Sequence, residues 1–573
     1  MRKKTVEIAL YAAIFCLAII QHFYQLGISP LSEGEAAAAI NAFHLSKGLD
    51  VIFDAQTGYV LLTSVLFYFL KASEFWARFL PAIVGSLIVF TPILYKKHLG
   101  DLPALLLAFG LAIDPGLIIT SRMADGSVFG ITFFLFAMGF LINGRSALAG
   151  VFGALALLGG PSVWFGLSVS LLTGAGYFTF RKTGKTENQK DHPIEEKDGW
   201  NFKWKHFLTG FGITAFLVFS AFLTTPEGLG GLFSGLAAFV EGWSLPQAMS
   251  ISTTLWSLIF YEALPVLLGI VAIVIAFQRR DPIIVTLSFW SLASLILILL
   301  YPARGFSLFP WMTIPLWAIL GKYILADYSL DDVEKIPYFG LLAIILIAFV
   351  FSGMNLKGIF TGSVVDNTSM QLRIVSILGS LLIIILAAGL TVWEWSVGTA
   401  TRAVFGAVFI LLFANNISTI WNILTSQTEL KQEVWLSNNF VDEDLFTKTL
   451  ADYQRWNIGT GNQSSVLISG IDSKALEWSL RMNDNTEQVQ VLPATFDPEM
   501  VITNTSEQLL LENQYAGQDF ILSREPVWDD LDTWGWFRWF FVRETPYIDK
   551  SIILWVRVDQ FPGYEANELL PTN

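Results

Sequence analysis

The sequence predicts an α-helical polytopic membrane protein of about thirteen transmembrane helices with a C-terminal extracytoplasmic α/β domain. Three observations carry that reading. The 573 residues are 54% apolar and only 14% charged, with a mean hydropathy of +0.56, well outside the soluble globular range. The apolar residues fall in runs near the ~20 residues that a bilayer core requires. Charge is segregated: from Glu429 onward twenty-four Asp and Glu stand against ten Lys and Arg, so the net charge of −13 resides in the tail. The chain divides into a transmembrane part, 1–425, whose first external loop is 27–75, and a soluble part, 426–573. Neither carries the basic patch that nucleic-acid binding needs. The single cysteine, Cys16, excludes an intrachain disulfide.

Met1-Arg2-Lys3-Lys4 precedes the first apolar run, 8–26, which lacks a small-residue cleavage site and is too long for a signal-peptide core. It reads as an uncleaved span with its N-terminus in the cytoplasm. The next run, 58–70, has too few residues to cross. If it did cross, Lys96-Lys97-His98 and the basic loop 181–190 would fall outside, against the positive-inside rule. It is therefore expected to lie in the outer interface as part of the first external loop. Twelve further spans follow at 76–94, 102–120, 127–142, 147–159, 163–180, 207–223, 255–277, 283–300, 306–324, 338–352, 372–393 and 404–420. An odd total places the acidic tail outside and Arg145, Arg279-Arg280, Lys322 and Arg402 in or beside cytoplasmic loops. The charged stretch 181–205 reads as a solvated connector. The external stretch 225–254 carries Leu229, Leu232, Phe233, Leu236, Phe239 and Val240 on one apolar face. That face suits either the outer membrane surface or packing on the bundle.

After 426, short β-type runs occur at 465–468, 489–492, 500–503, 519–523 and 552–558, with a helical stretch at 473–482. No Gly-rich nucleotide motif accompanies them. The aromatic block Trp528, Trp534, Trp536, Phe537, Trp539, Phe540 and Phe541, with Arg538 and Arg543, is either a packed interface or a sugar-stacking surface.

The first loop holds the densest chemistry. In Pro30–Lys47, Ser32 and Glu35 occupy capping-box positions at the start of an alanine-rich helix, and Glu33 adds a second acid near its positive end. Two crossings later comes Ser121-Arg122-Met123-Ala124-Asp125. An acidic first loop, two spans and an S-R-x-x-D loop resemble the GT-C membrane glycosyltransferases, the superfamily of the protein O-mannosyltransferases and the lipid A aminoarabinose transferases. The match lies at Glu35, Ala36 and Ala39; Gly34 stands where that family has Asp. The resemblance covers residues 1–330 and not the C-terminal domain. It implies an inverting transferase of the cell envelope that moves a hexosyl or pentosyl group from a polyprenyl-phosphate donor to a protein, lipid or glycan acceptor at the outer face of the plasma membrane.

Such a reaction needs a base for the acceptor hydroxyl and positive charge for the departing phosphate. The resemblance puts Glu35 first as base, Glu33 as the acid nearest the vacated Asp position, and Asp125 as acceptor ligand or second base. Arg122 orients Asp125, meets substrate or simply anchors at the interface. Arg78 and Arg304 are placed to hold a lipid phosphate, their planar forks suiting its oxygens. Asp114 and Glu262, acids inside predicted spans, border the cavity or, for Asp114-Pro115, mark a kink. The five histidines show no ligand spacing, and no cofactor beyond the lipid-linked donor is indicated. The alternative reading is a non-enzymatic transporter or assembly scaffold of the same architecture, against which stands the lack of internal symmetry.

Overall fold

The computed structural model describes residues 2–184, 202–279, 281–326, 328–330, 333–361, 367–425, 432–436, 439–458, 465–483, 485–492, 498–505 and 513–561. Most of the predicted connector 181–205 lies outside them. Seven described helices are long and apolar enough to cross a membrane, and two bent pairs bring the number to nine. These nine, together with Ser127–Ile142, Ser146–Ala156, Pro161–Gly184 and Trp204–Phe219, occupy all thirteen predicted apolar segments. Length and composition therefore identify seven of the thirteen as spans, and nine if each bent pair is one broken span. The segment expected at 207–223 is helical only to Phe219, because Ala221, Phe222 and Leu223 turn into positive φ. Ser146–Ala156 lies against Trp204–Phe219, so close at Gly150 that a Cβ there would stand 2.1 Å from the Phe207 carbonyl oxygen.

Both bends have a local cause and a shared brace. Asp101–Ala112 and Pro115–Arg122 meet at 52°, where Asp114 caps the second helix by accepting the Leu117 N–H at 2.8 Å and Pro115 needs no donor. Ile251–Tyr261 and Ala263–Ile275 meet at 89°, and Glu262 at that break accepts the Gly116 N–H of the first bend at 2.6 Å. Trp317 Nε1 donates to Asp114 at 2.9 Å.

The stretch 27–75, expected as the first external loop, folds into helices Glu33–Ser46 and Thr57–Phe69, packed on each other. The second has 13 residues, a length of ~20 Å against the ~30 Å of a hydrocarbon core. It buries Tyr59, Val60, Leu61 and Phe67, and Tyr59 donates to the Ala77 carbonyl at 2.8 Å. The stretch 225–254 begins with a 3-10 helix, Pro226–Phe233, and an α-helix, Ser234–Glu241. One face packs on the bundle, with Phe239 stacked 5.3 Å from Tyr301, while Phe233, Val240 and Trp243 remain exposed.

The C-terminal domain is a small mixed sheet of β1 Val466–Ser469, β2 Thr486–Val489, β3 Met500–Asn504, β4 Tyr515–Pro526 and β5 Tyr547–Arg557, in the order β2-β1-β3-β5-β4. β1 pairs in parallel with β2 and β3; the β3–β5 and β5–β4 pairs are antiparallel. The five predicted runs find these strands, although β2 begins and ends three residues earlier than expected. Helix Glu443–Ile458 was not expected; Phe446, Leu450 and Tyr453 at helical spacing are its sequence signal. The aromatic block forms helix Thr533–Val542, with Trp536 and Trp539 fully buried. Trp536 stacks 6.3 Å from Trp256, and Phe260 meets Trp539 at 5.9 Å and Phe540 at 4.8 Å. Its helix is thus an interface with the membrane part.

Candidate active site

The capping box forms as the sequence demands: Ser32 Oγ accepts the Glu35 N–H at 3.5 Å and the Glu35 carboxylate accepts the Ser32 N–H at 3.0 Å. This fixes Glu35 pointing back toward the entry of the loop, where it is only 6% exposed. Arg78 Nε and Nη2 grip it in a fork at 2.8 and 2.9 Å. The Ala124 N–H adds a bond at 2.8 Å and Ser32 Oγ another at 3.0 Å. Burial pushes the Glu35 pKa up, but Arg78 and these bonds hold it below the ordinary carboxylate value.

Arg78 spends its remaining donors on the Leu26, Ser29 and Pro30 carbonyls and the Ser29 hydroxyl. Arg122 uses only Nη1, which reaches the Gln21, His22 and Tyr24 carbonyls at 3.1, 3.2 and 2.7 Å. Its Nε and Nη2 are buried with no partner among the described residues. Arg304, 3% exposed, donates from Nε to the Tyr301 carbonyl at 3.0 Å, and its Nη1 is buried without a partner among the described residues. The Trp435 Nε1 shares that condition.

These orphan donors surround two adjoining spaces. A cavity of about 510 Å³ lies between Arg304–Ser307, the start of helix Ile251–Tyr261, and Glu525–Asp529 of the C-terminal domain. A small one of about 20 Å³ is lined by Glu35, Arg78 and Arg122. Met123 and Trp435 line both. Asp125 is two residues beyond Met123 and is itself outside both linings. Its carboxylate accepts the Ser127 N–H at 2.8 Å and the Ser127 hydroxyl at 3.2 Å. Burial, aided by the nearby Glu35 charge, pushes it up to about 7.

The structure thus gathers Glu35, Arg78, Arg122 and Asp125 at one end of the bundle and sets Arg304 on the adjoining cavity. Glu33 turns away: it accepts from the Ser473 hydroxyl and from the Lys474 N–H at 2.7 Å, capping helix Lys474–Ser479 of the C-terminal domain. Asp114 and Glu262, both fully buried, brace the helix breaks and line neither cavity. Trp435, Trp528 and Asp529 line the larger cavity. Trp435 and Asp529 were not singled out in the sequence, since neither belongs to a periodic element or a motif. Among the described residues, no three His, Cys, Asp or Glu side chains converge as a metal-binding set.

No family model and no curated protein sequence matches the chain. Among solved structures it is similar to ArnT from Cupriavidus metallidurans in the apo state, at 13% identity and a TM-score of 0.57 over 97% of this chain and 99% of that one. It is likewise similar to the same protein bound to undecaprenyl phosphate, at 12% identity and 0.56 over 96% and 98%. The likeness extends through the C-terminal domain, which the sequence resemblance left out. The chain shares the fold of ArnT over nearly its whole length.

Proposed function

We propose that the chain is a glycosyltransferase that moves a sugar from a polyprenyl-phosphate carrier to an acceptor at the outer face of the plasma membrane. The cluster of orphan donors carries this reading: Arg122 Nε and Nη2, Arg304 Nη1 and Trp435 Nε1 are buried, with no acceptor among the described residues, on side chains that line adjoining cavities. Buried N–H groups are costly unless paired, and a phosphate supplies the acceptors such a set lacks. The similar fold of an ArnT bound to undecaprenyl phosphate supports the same ligand class. The distribution of basic loops favours a cytoplasmic N-terminus and an outer C-terminal domain.

In the reaction the acceptor oxygen bonds to the anomeric carbon from the face opposite the phosphate, whose oxygen leaves with the bonding electrons, inverting the centre. Arg304 and Arg122 hold the charge that grows on the departing phosphate. The acceptor proton goes to Asp125, which follows Met123 of both cavity walls and the Ala124 N–H that Glu35 holds, and whose carboxyl burial pushes up to about 7. Glu35, fully bonded and held ionised, is a positioning residue that fixes Arg78 and the Ala124–Asp125 loop.

Transfer from a panel of polyprenyl-phosphate sugars in proteoliposomes tests the assignment. Arg304→Ala is expected to weaken donor binding, and Asp125→Asn to lower turnover by roughly 10²–10⁴-fold with donor affinity unchanged. Wild-type donor binding by the Arg122→Ala/Arg304→Ala double variant would remove the basis for a phosphate site here.

A further inference from the structure

We infer that the C-terminal domain reads the sugar: Trp528 and Asp529 form the glycosyl-binding wall of the cavity that Arg304 closes from the membrane side. The inference rests on the donor reading above and assigns the domain a part in it. The aromatic block divides by role. Trp536 and Trp539 are fully buried and lock helix Thr533–Val542 against Trp256, Phe260 and Tyr261. Trp528 is only half-buried and lines the cavity.

One side of the Trp528 ring stacks on Trp536 at 5.7 Å and an interplanar angle of 19°, and Trp539 meets it edge-on at 5.6 Å. The indole is therefore held still by the interface while part of it borders open space. A rigid aromatic plane beside a cavity offers the apolar C–H face of a pyranose a platform at little entropic cost. Asp529 follows at once and is pinned at the rim by the Thr253 hydroxyl, 3.2 Å from its Oδ1. A carboxylate accepts from two neighbouring sugar hydroxyls in the way it accepts from a fork of donors.

The charge pattern sets the class of sugar. Arg304 is the cation among the residues lining the cavity, and Glu525 and Asp529 are its acids, Glu525 being paired with Lys550 at 2.6 Å. Asp529 makes no ion pair among the described residues. A glycosyl group bearing its own carboxylate would face that charge, so the wall disfavours a uronate relative to a neutral pyranose.

The experiment measures binding of polyprenyl phosphate, polyprenyl phosphoglucose and polyprenyl phosphoglucuronate to the full chain in nanodiscs. Trp528→Ala is expected to weaken the phosphoglucose roughly three- to tenfold, the scale of one aromatic contact. Bare polyprenyl phosphate should bind as before, which also reports that the variant is folded. Trp528→Phe should recover most of the loss, and Asp529→Asn should narrow the gap between phosphoglucose and phosphoglucuronate. Equal loss on all three lipids, or no loss on any, would overturn the sugar wall while leaving the phosphate site standing. Unchanged binding of bare polyprenyl phosphate by Arg304→Ala would instead overturn the donor reading itself.

Discussion

Replacing Glu35 by Gln separates a structural carboxylate from a catalytic one. The Glu35–Arg78 pair is a two-point ion pair in which the partners are 6% and 3% exposed. Removing one member of such a pair leaves a buried charge and costs roughly 3–5 kcal/mol. Arg78 would keep its carbonyl and hydroxyl acceptors at 2.9–3.3 Å, so the expected loss falls at the low end, about 3 kcal/mol. The Gln amide also brings donors to a place where Arg78, Ser32 and Ala124 already donate.

Intrinsic tryptophan fluorescence during heating, with the protein in nanodiscs, reads the loss directly as a lowered unfolding midpoint. A double cycle with Arg78→Met should recover part of it, because the two side chains act on each other. The pH dependence has a definite sign. The folded pKa of Glu35 is depressed, so its contribution is present above the unfolded carboxylate value and is lost as pH falls through the lower folded value. Glu35→Gln should lack that acid limb. A wild-type unfolding midpoint combined with a hundredfold or greater fall in turnover would refute the reasoning and return Glu35 to the role of base.

Three other outcomes are expected. With Asp125 pushed up to about 7, turnover should rise with pH through that value, and Asp125→Asn should abolish the rise along with most of the rate; a flat wild-type profile from pH 5.5 to 8 would exclude Asp125 as base. Glu33→Gln weakens the cap on helix Lys474–Ser479, at a cost of about 1 kcal/mol, and should increase proteolysis of the C-terminal domain with turnover little changed; full loss of transfer at unchanged proteolysis would place Glu33 in the chemistry. Gly34 is exposed and an added Cβ there meets nothing within 4 Å, so Gly34→Asp should shift stability by no more than about 0.5 kcal/mol, as measured by the same thermal assay.

Much of the molecule was legible in the sequence because the controlling physics is local or compositional. Apolar runs placed all thirteen helical segments, charge segregation marked the acidic tail, and Ser32 with Glu35 announced a capping box that formed as expected. The short apolar run 58–70 gave the helix Thr57–Phe69, whose 13 residues fall short of a bilayer core. What did not follow was the length of individual spans near glycine-mediated contacts and the amphipathic helix Glu443–Ile458, whose charged face hides its apolar one.

The duty of each acid is a different matter, since it depends on what fills the carboxylate's lone pairs. Glu35 was legible as an N-terminal acid from Ser32, three residues away, but its grip on Arg78 spans 43 positions and Glu33's hold on Lys474 spans 441. Likewise, Arg122 and Arg304 read alike as outward cations, and only the surrounding carbonyls determine which of their N–H groups are left over. Sequence by itself determined a bundle of apolar helices, a charged C-terminal α/β domain and a capped, acid-bearing helix in the first loop. Tertiary structure decided which charged groups are spent on one another and which remain open to a cavity, because a hydrogen bond is fixed by distance in space and not along the chain.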